Sequence, residues 1–166
     1  MKKMDFYGIG PKIGRIFIPW LALTIVLSCI SNRFNFYSER NSALTISGAV
    51  LMAFGLVFYF TSVRLLLAGL REGNLVTTGT FYLCQNPLYM SFIWFLIPAI
   101  ALLLNSWLVL TSSLVGFILL KVNVKKEYQI LEEFFGEEYL RYKSDTPEFF
   151  PFPINKWMKK IEGYSK

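Results

Sequence analysis

The chain contains no histidine and only two cysteines among its 166 residues. Without histidine, a Cys/His metal site is excluded. The two cysteines, Cys29 and Cys84, lie in or beside apolar segments about one membrane span apart, so no disulfide is expected. Charge is scarce as well: 17% of residues are Asp, Glu, Lys or Arg, against roughly 25% in a soluble domain. There is no internal repeat, flexible linker or low-complexity tract. What is present is apolar: 54% hydrophobic residues, 16 phenylalanines and a mean hydropathy of +0.45.

These apolar residues are not spread as a globular core requires; they lie in charge-free runs. The first is Ile16 to Ile30, preceded by Lys2, Lys3, Lys12 and Arg15. Pro19 and Trp20 inside this run, and the further apolar runs that follow, argue against a cleaved signal. The second run is Asn41 to Val63, and the third, Gln85 to Leu120, holds 36 residues without a charge. A straight helix of that length measures roughly 54 Å, against a hydrocarbon core of about 30 Å. It must fold back, and Asn105-Ser106 is the polar pair at which it can do so.

The expected fold is therefore all-α: one polytopic membrane domain, residues 1–166, with spans near 16–32, 43–63, 87–104 and 106–122. The last two form a helical hairpin, followed by cytoplasmic amphipathic helices and a lid over 123–166. Basic residues are retained on the cytoplasmic side. Four spans put 15 of the 17 Lys and Arg there, leaving only Arg33 and Arg40 outside, with both termini cytoplasmic. Positive charge here reports topology and anionic headgroups, and nothing points to nucleic acid. Beyond Leu120 the apolar spacing continues through Tyr128, Leu131 and Phe135, so span four is expected to leave the membrane as an amphipathic helix. Gly136 is expected to break it in the left-handed conformation, with a short helix over 137–145. Pro151 and Pro153 then hold Phe149, Phe150 and Phe152 extended as an aromatic patch.

Two segments carry enough polar groups for chemistry. One runs from Leu75 to Tyr89 and includes Val76, Gly79, Tyr82, Gln85 and Asn86; the other runs from Glu127 to Tyr142. They enter and leave the expected hairpin, so antiparallel helices bring them to the same side. Asn86-Pro87 also reads as a helix start, Asn as N-cap and Pro in the first turn. Glu127, after two lysines, also reads as a solvated helix charge, and the tyrosines as interfacial aromatics. Against a transport path, no expected span carries an ionisable residue in its middle.

The two segments together resemble the isoprenylcysteine carboxyl methyltransferase and phospholipid methyltransferase superfamily. Gly79-Thr80-Phe81-Tyr82 and Gln85-Asn86-Pro87-Leu88-Tyr89 stand where that family has Gly-Pro-Tyr-Arg and Arg-His-Pro-x-Tyr. Glu127-Tyr128-x-x-Leu131-x-x-x-Phe135-Gly136-x-x-Tyr139-x-x-Tyr142, then Pro147-Glu148-Phe149-Phe150-Pro151, follows its carboxyl-terminal pattern. The match covers roughly residues 64–152. The departures are Gln85-Asn86 for Arg-His, Tyr128 for the second Glu of a pair, and Glu148 for Arg.

The resemblance implies a membrane enzyme that binds S-adenosylmethionine at the cytoplasmic face and methylates a lipid-like acceptor from the bilayer. Cofactor contacts are expected from Val76, Gly79, Tyr82, Gln85, Asn86, Tyr89, Glu127 and Tyr139, with Tyr142 and Glu148 toward the substrate. No catalytic residue is singled out, and no metal is implied. Aromatic faces suit a sulfonium, for which Tyr82, Tyr89 and Tyr139 are candidates. A membrane reductase of the steroid-reductase type is the competing enzyme, but Leu88 to Phe92 lacks the Gly-Glu that such enzymes place there. A non-catalytic protein retaining the fold is the third alternative.

Overall fold

A computed structural model describes residues 10–39 and 41–149. Its secondary structure is entirely helical apart from an isolated bridge between Asn35 and Ser106. Helix α1 is Gly10–Ile30 and α2 is Ser42–Glu72. Two single-turn helices follow, α3 (Thr80–Leu83) and α4 (Pro87–Met90). A π-helical stretch, Ser91–Leu96, joins α4 to α5 (Ile97–Leu103), making one apolar rod, Pro87–Leu103. Then come α6 (Trp107–Asn123), α7 (Lys125–Phe135) and α8 (Glu137–Asp145). The expected patch at Phe150, Pro151, Phe152 and Pro153 lies outside the described residues.

Two helices, α1 and α2, are long and apolar enough to cross a membrane; α6 with α7 makes a third if the bent pair counts as one span. Most of their surface is apolar and exposed, so lipid is the solvent that suits it. In that solvent apolar side chains gain little by meeting one another, and association rests on close packing and hydrogen bonds. Both devices are visible. Gly48, Gly55, Ser62 and Gly69 recur every seventh residue and are the small buried positions of α2. A Cβ at Gly55 would lie 2.8 Å from Phe95 Cβ, and one at Gly48 would lie 3.1 Å from the Ala99 carbonyl oxygen. The rod therefore sits almost against the α2 backbone.

On α1 the buried positions include its polar ones. Thr24 Oγ1 lies 3.1 Å from Ser112 Oγ, and Ser28 Oγ lies 2.7 Å from Ser106 Oγ. Thr24 and Ser28 already donate to the Leu21 and Thr24 carbonyls, so the hydroxyls of α6 and its cap must be the donors across the interface. These contacts pair α1 with α6, while the rod packs between α2 and α6.

The chain reverses at Leu104 to Ser106, where Asn105 takes a positive φ of 52°. Its amide donates to the Tyr37 carbonyl at 2.7 Å, and its backbone carbonyl accepts from Phe36 N–H at 3.0 Å. The α1–α2 connection is thereby fixed at the same end as this reversal. Everything between Gly73 and Leu83, together with α7 and α8, lies at the other end.

The structure departs from expectation at several points: α1 begins at Gly10, ahead of the expected start near residue 16, and the others have local reasons. Helix α2 runs to Glu72, not Val63, because Arg64 and Arg71 lie exposed or near its end; Gly73 stops it with φ 69° and ψ 21°. The π-helical stretch precedes Pro98, whose ring displaces the carbonyl four residues back; Ile97 N–H instead reaches the Phe92 carbonyl. The axis also turns by 45° at Val124, where an apolar helix gives way to Lys125-Lys126-Glu127. Gly136 has positive φ as expected, but its ψ of −126° lies outside the left-handed helical region.

The α2 stripe is directly testable. Gly55→Val should cost about 1–3 kcal/mol through overpacking against the rod, read as a lower melting temperature in detergent. Gly14→Ala, whose Cβ would meet only the Ile18 side chain at 3.5 Å, should leave the melting temperature unchanged.

Candidate functional site

The end away from the Asn105 turn holds a buried cluster built by α1, the rod, α6, α7 and α8, including Ile13, Cys84, Met90, Val124, Tyr128, Tyr139 and Tyr142. Gly79, at φ 61° and ψ −125°, turns the chain into α3. Phe81 is thereby buried, and its carbonyl accepts from Tyr142 OH at 2.7 Å. Cys84 follows, fully buried, and burial pushes its thiol up to about 12.

Gln85 and Asn86 then hold the segment that follows α8. Gln85 N–H donates to the Pro147 carbonyl at 2.9 Å, and its amide Nε2 donates to the carbonyls of Thr146 (2.6 Å) and Lys143 (3.2 Å). Asn86 Nδ2 donates to Tyr128 OH at 2.5 Å and to the Glu148 carbonyl at 3.0 Å. Asn86 stands at the N-cap position before Pro87, yet its side chain does not cap the helix. Its amide is spent on α7 and on the carboxyl-terminal segment instead.

Between α2, this segment and α7–α8 lies a narrow cleft. It contains about 680 Å³ of empty space counted out to solvent, with about 100 Å³ wide enough for the centre of a water molecule. Val76, Gln85, Asn86, Tyr89, Glu127, Tyr139 and Tyr142 line it, and the structure brings these seven expected residues together. Gly79, Tyr82 and Glu148 are not in its lining: Gly79 packs on Leu65, Tyr82 is exposed, and Glu148 pairs with Lys121 at 2.6 Å. In place of Tyr82 the cleft has Phe81. Leu66 and Leu70 of α2 also contribute, and ending that helix at the first arginine hid them. The signal available was the run Leu65-Leu66-Leu67, which continues the apolar helix past Arg64.

Glu127 is the one charged side chain in the lining among the described residues, and Tyr89 OH donates to its Oε2 at 3.4 Å. Tyr128, Tyr139 and Tyr142 form a row, with successive ring centroids 6.4 Å apart. Burial raises all three phenols above their ordinary range, so they stay protonated and are poor bases. Gln85 Oε1 and Tyr139 OH, both on the cleft, are buried and make no hydrogen bond. A carboxylate, aromatic faces, an open acceptor and an open hydroxyl are a donor set for a cationic ligand carrying polar groups. S-adenosylmethionine has that chemistry, and these residues fit it.

The departures from the family pattern meet in space. Asn86, Tyr128 and Glu148 are joined by the two Asn86 hydrogen bonds, and the Glu148 carboxylate also bears on the Tyr128 hydroxyl. They form one neutral amide–phenol contact with a carboxylate beside it.

An all-α protein with two or three candidate membrane spans and a tyrosine-lined cleft at their end is the class that fold and site define. Over 147 residues the chain is 29% identical to a protein-S-isoprenylcysteine O-methyltransferase of Saccharomyces cerevisiae, covering 76% of this chain and 60% of that protein. Over 79 residues it is 32% identical to proteins of the same name from Mus musculus and Rattus norvegicus, covering 48% of this chain and 28% of each. The similarity to this family is weak and partial, and the chain spans less than two thirds of these relatives' length. No family model and no solved structure matches the chain.

Tyr128→Phe removes the acceptor of a buried amide donor and should cost about 1–3 kcal/mol. Earlier proteolysis after Tyr142 and a lower melting temperature would register it. Cys84, a neutral thiol at pH 8, should resist iodoacetamide in the folded protein. It should react once denaturant returns it to an ordinary pKa of about 8.5.

Proposed function

We propose that this chain is an integral membrane methyltransferase that takes S-adenosylmethionine from the cytoplasm and a lipid-like or isoprenoid-linked acceptor from the bilayer. The observation that carries the reading is the convergence of Gln85–Tyr89 and Glu127–Tyr142 on one cleft with unspent polar atoms. The distant similarity to isoprenylcysteine methyltransferases points the same way.

In this reading the rod Pro87–Leu103 and α6 are two further spans, making four. Each has 17 residues and is about 26 Å long, short for a hydrocarbon core of about 30 Å. Both termini and the cleft then face the cytoplasm, where most of the lysines and arginines lie.

S-adenosylmethionine supplies an electrophilic methyl group on a positively charged sulfur. Glu127 balances cationic charge in the cleft, and Tyr89 orients that carboxylate. Tyr128 and Tyr139 already carry one cation, Lys143 Nζ at 5.6 and 5.7 Å from their ring centroids, which leaves their other faces for the sulfonium, and Gln85 Oε1 accepts one polar hydrogen. The apolar side, from Leu66, Leu70, Phe81 and Leu131, excludes water and admits hydrocarbon. Methyl transfer is an in-line displacement, so holding donor and acceptor in line is the work required. A carboxylate acceptor needs no base; an ammonium acceptor must first lose a proton, and the buried phenols are poor bases for that step.

Calorimetry on purified protein should show binding of S-adenosylmethionine and of its demethylated product. Glu127→Ala should weaken it by on the order of 10- to 100-fold, the loss of one charge-assisted hydrogen bond, and Tyr89→Ala should weaken it in the same direction. Silence at millimolar ligand overturns the proposal, and heat with NADPH in its place selects the reductase reading. Methyl-labelled cofactor added to membranes then identifies the acceptor by the fraction that takes up label.

A further inference from the structure

Beside the cleft, separated from it by Gln85 and Tyr128, runs a second and wider groove of different chemistry. It holds about 1140 Å³ of empty space counted out to solvent, and Lys121, Lys125 and Lys143 lie along it. Thr146 lines it too; the residue is 1% exposed, and its Oγ1 is buried without a hydrogen-bond partner. Two carboxylates answer the three ammonium groups: Glu148 at 2.6 Å from Lys121 and Glu132 at 3.8 Å from Lys143. The Glu148 pair is roughly half exposed on the lysine side, and ion pairs of that exposure are weak. A stronger anion can displace it.

What leads to the groove is hydrocarbon surface. Leu114, Ile118 and Val122 follow one another at four-residue spacing on α6 and are 62%, 52% and 72% exposed. At 100° per residue, Lys121 falls on the same side of the helix as this stripe, at its end. Lysines at the end of a lipid-facing helix commonly extend to the interface for solvation alone. Here they instead flank a recess that also contains a buried, unspent hydroxyl.

We infer that the Lys121–Lys125–Lys143 groove is a headgroup site for an anionic phospholipid, its phosphate taken by the lysines and by Thr146 Oγ1–H while its acyl chains lie along Leu114, Ile118 and Val122. Glu148 holds the place of that phosphate on Lys121. Glu148 also gives its backbone carbonyl to Asn86, so a headgroup that displaces its carboxylate bears on the wall of the cleft. The site does not depend on the methyl-transfer reading.

The test is lipid retention by the full-length protein in detergent, measured by native mass spectrometry. Phosphatidylglycerol should be retained in preference to phosphatidylcholine. Lys121→Gln with Lys125→Gln should reduce its affinity about thirty-fold, the loss of two lysine–headgroup attractions. Lys126→Gln, outside the groove, should change little. Glu148→Gln should raise retention by freeing Lys121, and Thr146→Val should lower it without altering the melting temperature. Equal retention of both lipids, or wild-type retention by a double-lysine variant of unchanged melting temperature, overturns the inference. Stabilisation by inorganic phosphate with no preference between the lipids also overturns the lipid assignment, leaving a site for soluble phosphate.

Discussion

Close backbone approach between α2 and the Pro87–Leu103 rod is the constraint from which the rest follows. In lipid, apolar surfaces have little reason to leave one solvent for another like it. Gly48 and Gly55 supply the reason by removing side chains where the rod must lie. The seven-residue repeat keeps this flat face turned toward its partner along the whole of α2. At its far end the same stripe reaches the cleft: Ser62 Oγ lies 2.9 Å from Thr80 Oγ1, and Gly69 makes room for Val76. The packing of the spans and the placing of the first motif are thus one arrangement.

The second motif is placed by different forces. The helix leaving the bundle turns 45° at Val124, and α7 and α8 pack back on each other across Gly136. The returning segment is anchored by Phe149 against Phe117, and the amides of Gln85 and Asn86 hold it by its backbone carbonyls. Hydrogen bonds to main-chain atoms do not specify side chains. Asn86 therefore holds the chain at Glu148 whatever side chain that position carries.

Much of this was legible beforehand, for identifiable reasons. Charge-free runs located α1, the rod and α6 because an apolar helix leaves its charged residues at or beyond its ends. Asn105-Ser106 marked the reversal because it lies near the middle of its run and carries an asparagine, a residue that tolerates a positive φ, whereas Thr111-Ser112-Ser113 does not. The convergence of Gln85, Asn86, Tyr89, Glu127, Tyr139 and Tyr142 followed from motif order and helix direction. The end of α2 did not: arginine tolerates an interfacial helix, so a charge was the wrong stop signal and Gly73 the right one. The side-chain partners of Asn86, Tyr128 and Glu148 were hidden too, since residues 42 and 62 positions apart announce contact only when the fold is known. Reading each as a separate departure concealed that they touch one another.

The bend at Val124 splits the cleft between two elements. Tyr89 belongs to the rod, whereas Glu127 and Tyr128 sit on α7, just beyond the bend. The 3.4 Å contact between Tyr89 and Glu127, with the Asn86–Tyr128 hydrogen bond beside it, therefore joins the two sides. The angle at which α7 leaves α6 thus decides where the cleft's carboxylate stands.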